Sequence, residues 1–181
     1  MTTSPTLPQR RGRDREGTSM IVGVTGHRFY DAPTAAWLRS RVREILASWA
    51  DDGDVRLVSS LAEGADQLVA RVAVDLGLPL EVVIPATGYR DSLQEAFRFG
   101  LDELLAAAES VRTLDHDAPG EAAYLEAGLE VVSRSDRLIA VWDGEPARGT
   151  GGTAEIVEAA RDRGVAVVVL WPDGYERSHQ G

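Results

Sequence analysis

The segment GEPARGTGGTAEIVEAAR, residues 144–161, holds four glycines and two threonines between an apolar run, LIAVW, and a helical period. With few side chains in the way, the amides of Gly149, Thr150, Gly151 and Gly152, and that of Thr153, can turn toward an anion held on the positive end of a helix dipole. Arg148 adds a guanidinium whose fork suits a phosphate. A phosphate is therefore the expected occupant. The spacing is neither GxxxxGKS nor GxGxxG, so neither a P-loop nor a dinucleotide fingerprint is matched. Glu155 lies in the first helical turn, where the dipole favours a carboxylate. The same residues also suit a tight turn with Thr153 as N-cap and Glu155 in the first turn. Both readings stay open at this point.

Composition removes other chemistries. All 19 basic residues are arginine, so no lysine nucleophile or Schiff base exists, and the absence of cysteine excludes thiol catalysis, thiolate metal sites and disulfides together. The histidines are His27, His116 and His179, without metal-ligand spacing, and no protein-bound metal is expected. No resident cofactor is expected either, although Mg²⁺ can accompany a nucleotide. Residues 1–19 are rich in Pro, Thr, Ser and Arg and read as a disordered arm, residues 20–172 as one domain, and residues 173–181 as a polar tail. The arm carries +2 of the formal charge of −10, leaving −12 on the rest. An acidic body repels phosphate backbones, so nucleic acid is expected to be an unlikely partner. No apolar stretch approaches the ~20 residues needed to span a bilayer, and a cytoplasmic location without membrane contact is expected.

The elements that must position these residues alternate regularly. Short β-branched runs at 20–24, 55–59, 80–84, 111–114, 137–142 and 165–171 read as strands, with helical periods between them that include Trp37, Trp49 and Phe97 on apolar faces. Several strands are apolar on both faces. This pattern predicts βαβ crossovers and a buried, mostly parallel sheet of about six strands in a Rossmann-like three-layer α/β fold. Open parallel sheets bind ligands beyond the carboxyl ends of their strands. The unusual residues fall there, in TGHRFYD (25–31), SLAEGAD (60–66), PATGYRD (85–91), DHDAPG (115–120) and DGEPARGTGGTAE (143–155). Gly26 would let the first loop approach a ligand, and His27 and Arg28 would touch base or phosphate. Ser60, Glu63, Gly64 and Asp66 open the second helix, where Asp66 can be a structural cap. Glu63 and Asp143 can accept hydrogen bonds from ribose hydroxyls, because a carboxylate facing phosphate would repel it. His116, flanked by Asp115 and Asp117, is either an acid near the cleft or an exposed loop histidine.

Three motifs carry a resemblance. SSLAEGADQLVARVA (59–73) resembles the SGLAxGxDxxA segment of the SLOG superfamily, which joins the Smf/DprA proteins with the Lonely Guy enzymes. SDRLIAVWDGEPARGTGGTAEIV (135–157) resembles its strand, glycine-rich loop and helix, and GVTGHR (23–28) its opening strand in stand-alone members such as the molybdenum-cofactor carrier and YpsA-like groups. The resemblance spans residues 20–171. It implies a nucleotide-binding domain that acts as sensor or carrier, and a homodimer or higher homo-oligomer. The alternative it implies is a phosphoribohydrolase with Glu155 as catalytic residue. Two departures weigh against that alternative: the Lonely Guy pattern PGGxGTxxE is not met by GTGGTAE, and its Arg-Lys pair on the preceding helix has no counterpart in AAYLEAGLEVV (122–132), while Arg134 lies close to Asp136.

Overall fold

The computed structural model describes residues 19–146 and 152–175. The order of elements is β1 (Met20–Gly26), α1 (Ala32–Asp52), β2 (Val55–Ser59), α2 (Ala65–Asp75), β3 (Leu80–Ile84), α3 (Tyr89–Ser92), α4 (Glu95–Ala107), β4 (Ser110–Thr113), α5 (Glu121–Ser133), β5 (Arg137–Val141), α6 (Thr153–Asp162) and β6 (Ala166–Leu170). All six strands pair in parallel, in the order β4-β3-β2-β1-β5-β6. The Rossmann-like α/β fold expected from the alternation is the fold observed.

Residue parity along the strands explains the layers. On β5, Ile139 and Val141 join the core beneath α1, α2 and α4, whereas Leu138 and Ala140 face the opposite side, with Ile156, Val157 and Ala160 of α6. Likewise Leu57, Val82 and Ile84 belong to the first core, and Val58 and Val83 to a third cluster with Ala127 and Val131 of α5. Both faces of β2, β3 and β5 are largely buried, which is why these strands read as continuous apolar runs, whereas edge strand β4 is exposed and β6 only partly covered. Each fully buried Leu, Ile or Val contributes about 1.5–3 kcal/mol. Winding runs outward from β1 to β4, and α5 then carries the chain back across the sheet to β5 on the far side of β1. The order therefore reverses between β1 and β5, the position where such sheets open a crevice.

Local signals set the helix starts. Asp31 caps α1 by accepting from the Thr34 amide at 2.8 Å, with proline following in the first turn. The cap of α6 is Gly152 (φ −75°, ψ 164°), and Thr153 is its first helical residue, so the expected N-cap role of Thr153 moves one residue back. Trp37, expected in the core, is exposed on α1, while Leu38, Val42 and Leu46 supply the buried stripe. Residues 171–175 fold back: the Trp171 indole donates to the Tyr175 carbonyl (2.9 Å), and the Tyr175 hydroxyl accepts from the Asp31 amide (3.0 Å). Among the described residues, no helix is long and apolar enough to cross a membrane.

Candidate functional site

The β1/β5 crevice is built by three segments that meet at the backbone. The His27 amide donates to the Val141 carbonyl (2.9 Å), and the Ala65 amide donates to the His27 carbonyl (3.1 Å). The loop after β1 is thus pinned to the end of β5 and to the start of α2. This explains two glycines. A Cβ on Gly26 would lie 2.6 Å from the Ala65 Cβ and 2.7 Å from the Val141 Cβ, and one on Gly64 would lie 2.2 Å from the Arg28 carbonyl oxygen. What comes so close to these two backbones is the chain itself.

His27 and Asp143 face one another across this junction. The imidazole Nε2 lies 2.9 Å from Asp143 Oδ1 and 3.2 Å from the Asp143 amide nitrogen, so it donates to the carboxylate when protonated and accepts from the amide when not. Both side chains are nearly closed off from solvent, and the Trp171 ring stands edge-on to the imidazole, 5.1 Å between centroids. Asp143 Oδ1 also accepts from the Glu145 amide at 3.0 Å, which fixes the first turn of the glycine-rich segment. The sequence nominated both residues. Their pairing, and Trp171 beside them, were not signalled by any local pattern.

The SLAEGAD loop forms a second rigid shelf. Asp66 is buried and accepts from the Ser60 hydroxyl (3.0 Å), the Ser59 hydroxyl (3.3 Å) and the Ala62 amide (3.4 Å). Leu61 adopts φ +54°, unusual for a branched residue, and is held there by the bond from its amide to Ser59 Oγ and by Gln67 Nε2 donating to its carbonyl. Glu63, also buried, accepts from the Gln94 amide at 2.6 Å and so ties the loop to the start of α4. Arg28 is exposed, with its guanidinium 5.8 Å over the Tyr124 ring, and Tyr124 meets Tyr89 edge-on at 6.1 Å. Tyr89 belongs to the first core and Tyr124 is partly buried against it, and neither was named from the sequence.

Burial raises Asp66 from 3.8 to about 6, against the opposing pull of its hydrogen bonds from Ser60, Ala62 and Ser59 and the charge of Arg28. Folding then takes up a proton between those values, so the contribution of Asp66 favours the fold below pH 3.8 and is lost as the pH rises through about 6. Asp66→Asn keeps an acceptor for Ser60 without the charge. Relative to the parent, this variant is expected to gain stability progressively from about pH 4 to 6, by on the order of 2–3 kcal/mol, and then to hold that gain. Urea denaturation at several pH values checks it, and a parent-variant difference independent of pH would refute the shift.

The remaining candidates separate. His116 pairs with Glu126 at 2.7 Å beyond edge strand β4, away from the β1/β5 junction. Arg134, at the end of α5, pairs with Glu81, and Asp136 accepts from the Ile21 amide (2.8 Å), so both lie toward the amino ends of the strands. Helix α5 brings no basic side chain to the crevice. Glu155 stands in the first turn of α6, and Gly152 and Thr153 begin that helix just beyond β5. Arg148, Gly149, Thr150 and Gly151 lie outside the described residues, as do residues 1–18.

No family model and no curated protein matches the chain. Solved structures do. The chain is similar to DNA processing protein A from Helicobacter pylori, reported in a single-stranded DNA binding mode (17% identity, 87% of this chain and 68% of that one, TM-score 0.62). It is similar to DprA from Streptococcus pneumoniae (16% identity, TM-score 0.65), covering 86% of this chain but only 51% of that protein. It also resembles the molybdenum cofactor carrier protein from Chlamydomonas reinhardtii (22% identity, 84% of this chain and 76% of that one, TM-score 0.50). At these identities the shared property is the fold, and its bearers are the DprA and cofactor-carrier groups that the motifs resemble. The finding corrects one expectation. Proteins of this fold include DNA processing proteins, one of them binding single-stranded DNA, so an acidic net charge does not make nucleic acid an unlikely partner. The physical reason is that net charge is a sum, whereas binding depends on the local field. Here a cleft beside the crevice is lined by Arg28, Arg39 and Arg71 without a carboxylate.

Proposed function

We propose that this chain binds a nucleotide or a nucleotide derivative at the carboxyl ends of β1 and β5, as a sensor or carrier. The observation that supports this reading is the convergence at the strand-order reversal. There the start of α6, the His27–Asp143 pair, the SLAEGAD shelf and Arg28 are brought to one crevice. A phosphate is favoured at the amino end of α6, where backbone amides and the helix dipole act together. Arg28 adds charge, while the partly exposed Tyr124 offers an aromatic edge for a base. In a protein without lysine or cysteine, recognition falls to arginine and backbone amides.

The test is equilibrium binding with a panel of nucleoside mono- and diphosphates, dinucleotides and a short single-stranded oligonucleotide, preceded by mass spectrometry of small molecules that co-purify. At least one mononucleotide or dinucleotide is expected to bind with a Kd below about 100 µM. A panel in which none binds more tightly than ~1 mM would sink the proposal.

Binding without turnover fits α5 better than hydrolysis does, since residues 121–133 contain no arginine to accompany Glu155. Glu155→Gln is accordingly expected to change affinity by about 1–2 kcal/mol through one altered hydrogen bond, and the parent to release no free base. Chromatographic detection of base, abolished in Glu155→Gln, would convert the reading to a glycosidase.

A further inference from the structure

Helix α2 is sunk between its neighbours. Residues Ala65 to Ala70 are all buried, so α1 and α4 rise on either side and leave a groove of about 330 Å³ above it. That volume lies within the range of about 300–1,000 Å³ common for small-ligand pockets. The floor is apolar, with Leu68 barely exposed and Leu104 buried beneath it, and Phe97 stands half-buried along one wall. Phe97, expected to be a core residue, therefore has a face at the surface of this groove.

The charges are one-sided. Arg28, Arg39 and Arg71 line the groove, and no acidic side chain does. Arg71 is engaged with Glu103 at 2.6 Å. Arg28 and Arg39 make no ion pair with the described residues, although Arg28 lies within the field of buried Asp66, and Arg39 within that of Tyr30. In a chain of net charge −10, two guanidinium groups without an ion-pair partner among the described residues make a positive local surface beside an apolar floor. Gly100 of α4 lies along the same wall, close against Gln67 of α2. A Cβ there would lie 2.8 Å from Gln67 Oε1.

We propose that the groove over α2 is a second binding site, taking a small anion that carries a planar ring: a phosphate monoester or carboxylate on an aromatic or heteroaromatic group. Arg28 and Arg39 pair with the anion, and the ring lies against Phe97 and the Leu68–Leu104 floor. Neither half suffices alone, because guanidinium pairs in water hold a free anion weakly, and the apolar floor adds affinity only for a ligand with a ring to bury. The groove shares Arg28 with the strand-end crevice, whereas Arg39, Phe97 and Leu68 belong to the groove alone and none of them lies at the α6 terminus.

The experiment uses the full chain, ¹⁵N-labelled, titrated separately with 1-naphthyl phosphate, inorganic phosphate and 1-naphthol. Saturable shifts are expected at the Gln67, Phe97 and Gly100 amides with 1-naphthyl phosphate, and at least about ten-fold weaker binding of the other two. Arg39→Glu should weaken 1-naphthyl phosphate by about ten-fold or more. Gly100→Leu should do the same by filling the groove. Should Gly100→Leu fail to fold, Arg39→Glu on the surface of α1 decides the matter. Gly152→Asp, at the other position, should leave these groove shifts intact, so failure of the strand-end reading and failure of this one are separable. Absence of groove shifts, undiminished binding by Arg39→Glu, or inorganic phosphate binding as tightly as the aryl ester would each overturn the proposal.

Discussion

Gly64→Ala is expected to lower the melting temperature by roughly 6–12 °C. Two costs combine at this position. Gly64 has φ +81° and ψ −112°, a region that side-chain-bearing residues occupy at a cost of about 1–3 kcal/mol. The added Cβ would also stand 2.2 Å from the Arg28 carbonyl oxygen, a backbone atom that can retreat only by loosening the His27–Ala65 and His27–Val141 bonds. Together these amount to about 3 kcal/mol or more, and a domain of this size loses about 2–4 °C per kcal/mol. Gly77→Ala is the control, because Gly77 has φ +74° but nothing within 4 Å of its Cβ position. It should cost only about 1 kcal/mol. Equal losses in the two variants would show that the first loop does not press on α2.

Gly152→Asp should separate stability from binding. Gly152 caps α6 with φ −75° and ψ 164°, an extended conformation open to any residue, and aspartate is a preferred cap. The fold should therefore be unchanged or slightly more stable. A carboxylate about 5 Å from a bound phosphate, at an effective dielectric of about 20, opposes it by about 3 kcal/mol, so nucleotide affinity should fall roughly 100-fold. Calorimetric titration of parent and variant with the tightest nucleotide of the panel measures this. Equal affinity would remove the anion from the α6 terminus.

Much of the architecture was legible before any coordinates. Strand limits at 55–59 and 80–84 coincide with β2 and β3, because a parallel sheet buried on both faces demands apolar residues at both parities. The strand-end loops were legible too, since Gly, His, Arg and acidic residues collect where the apolar runs stop. The glycines were harder to read. A missing side chain looks the same in sequence whether a ligand or the chain's own carbonyl fills the space, and at Gly26 and Gly64 it is the chain.

Local pattern determined the six strands and five of the helices in their order, because a period of two or 3.6 is written within one segment, whereas the single turn α3 (Tyr89–Ser92) fell in a stretch read as loop, too short to show a period. It likewise determined which chemistries the molecule lacks, through the absence of lysine and cysteine. Partnership across the fold was decided elsewhere. His27 and Asp143, 116 residues apart, meet only because β5 pairs with β1 rather than with β4, its predecessor in the chain. The groove over α2 exists only because α2 packs deeper than α1 and α4, which gathers arginines from three segments of an acidic chain onto one surface. Such choices turn on which faces bury most completely against one another, and that competition is settled among all the elements together once the chain has collapsed.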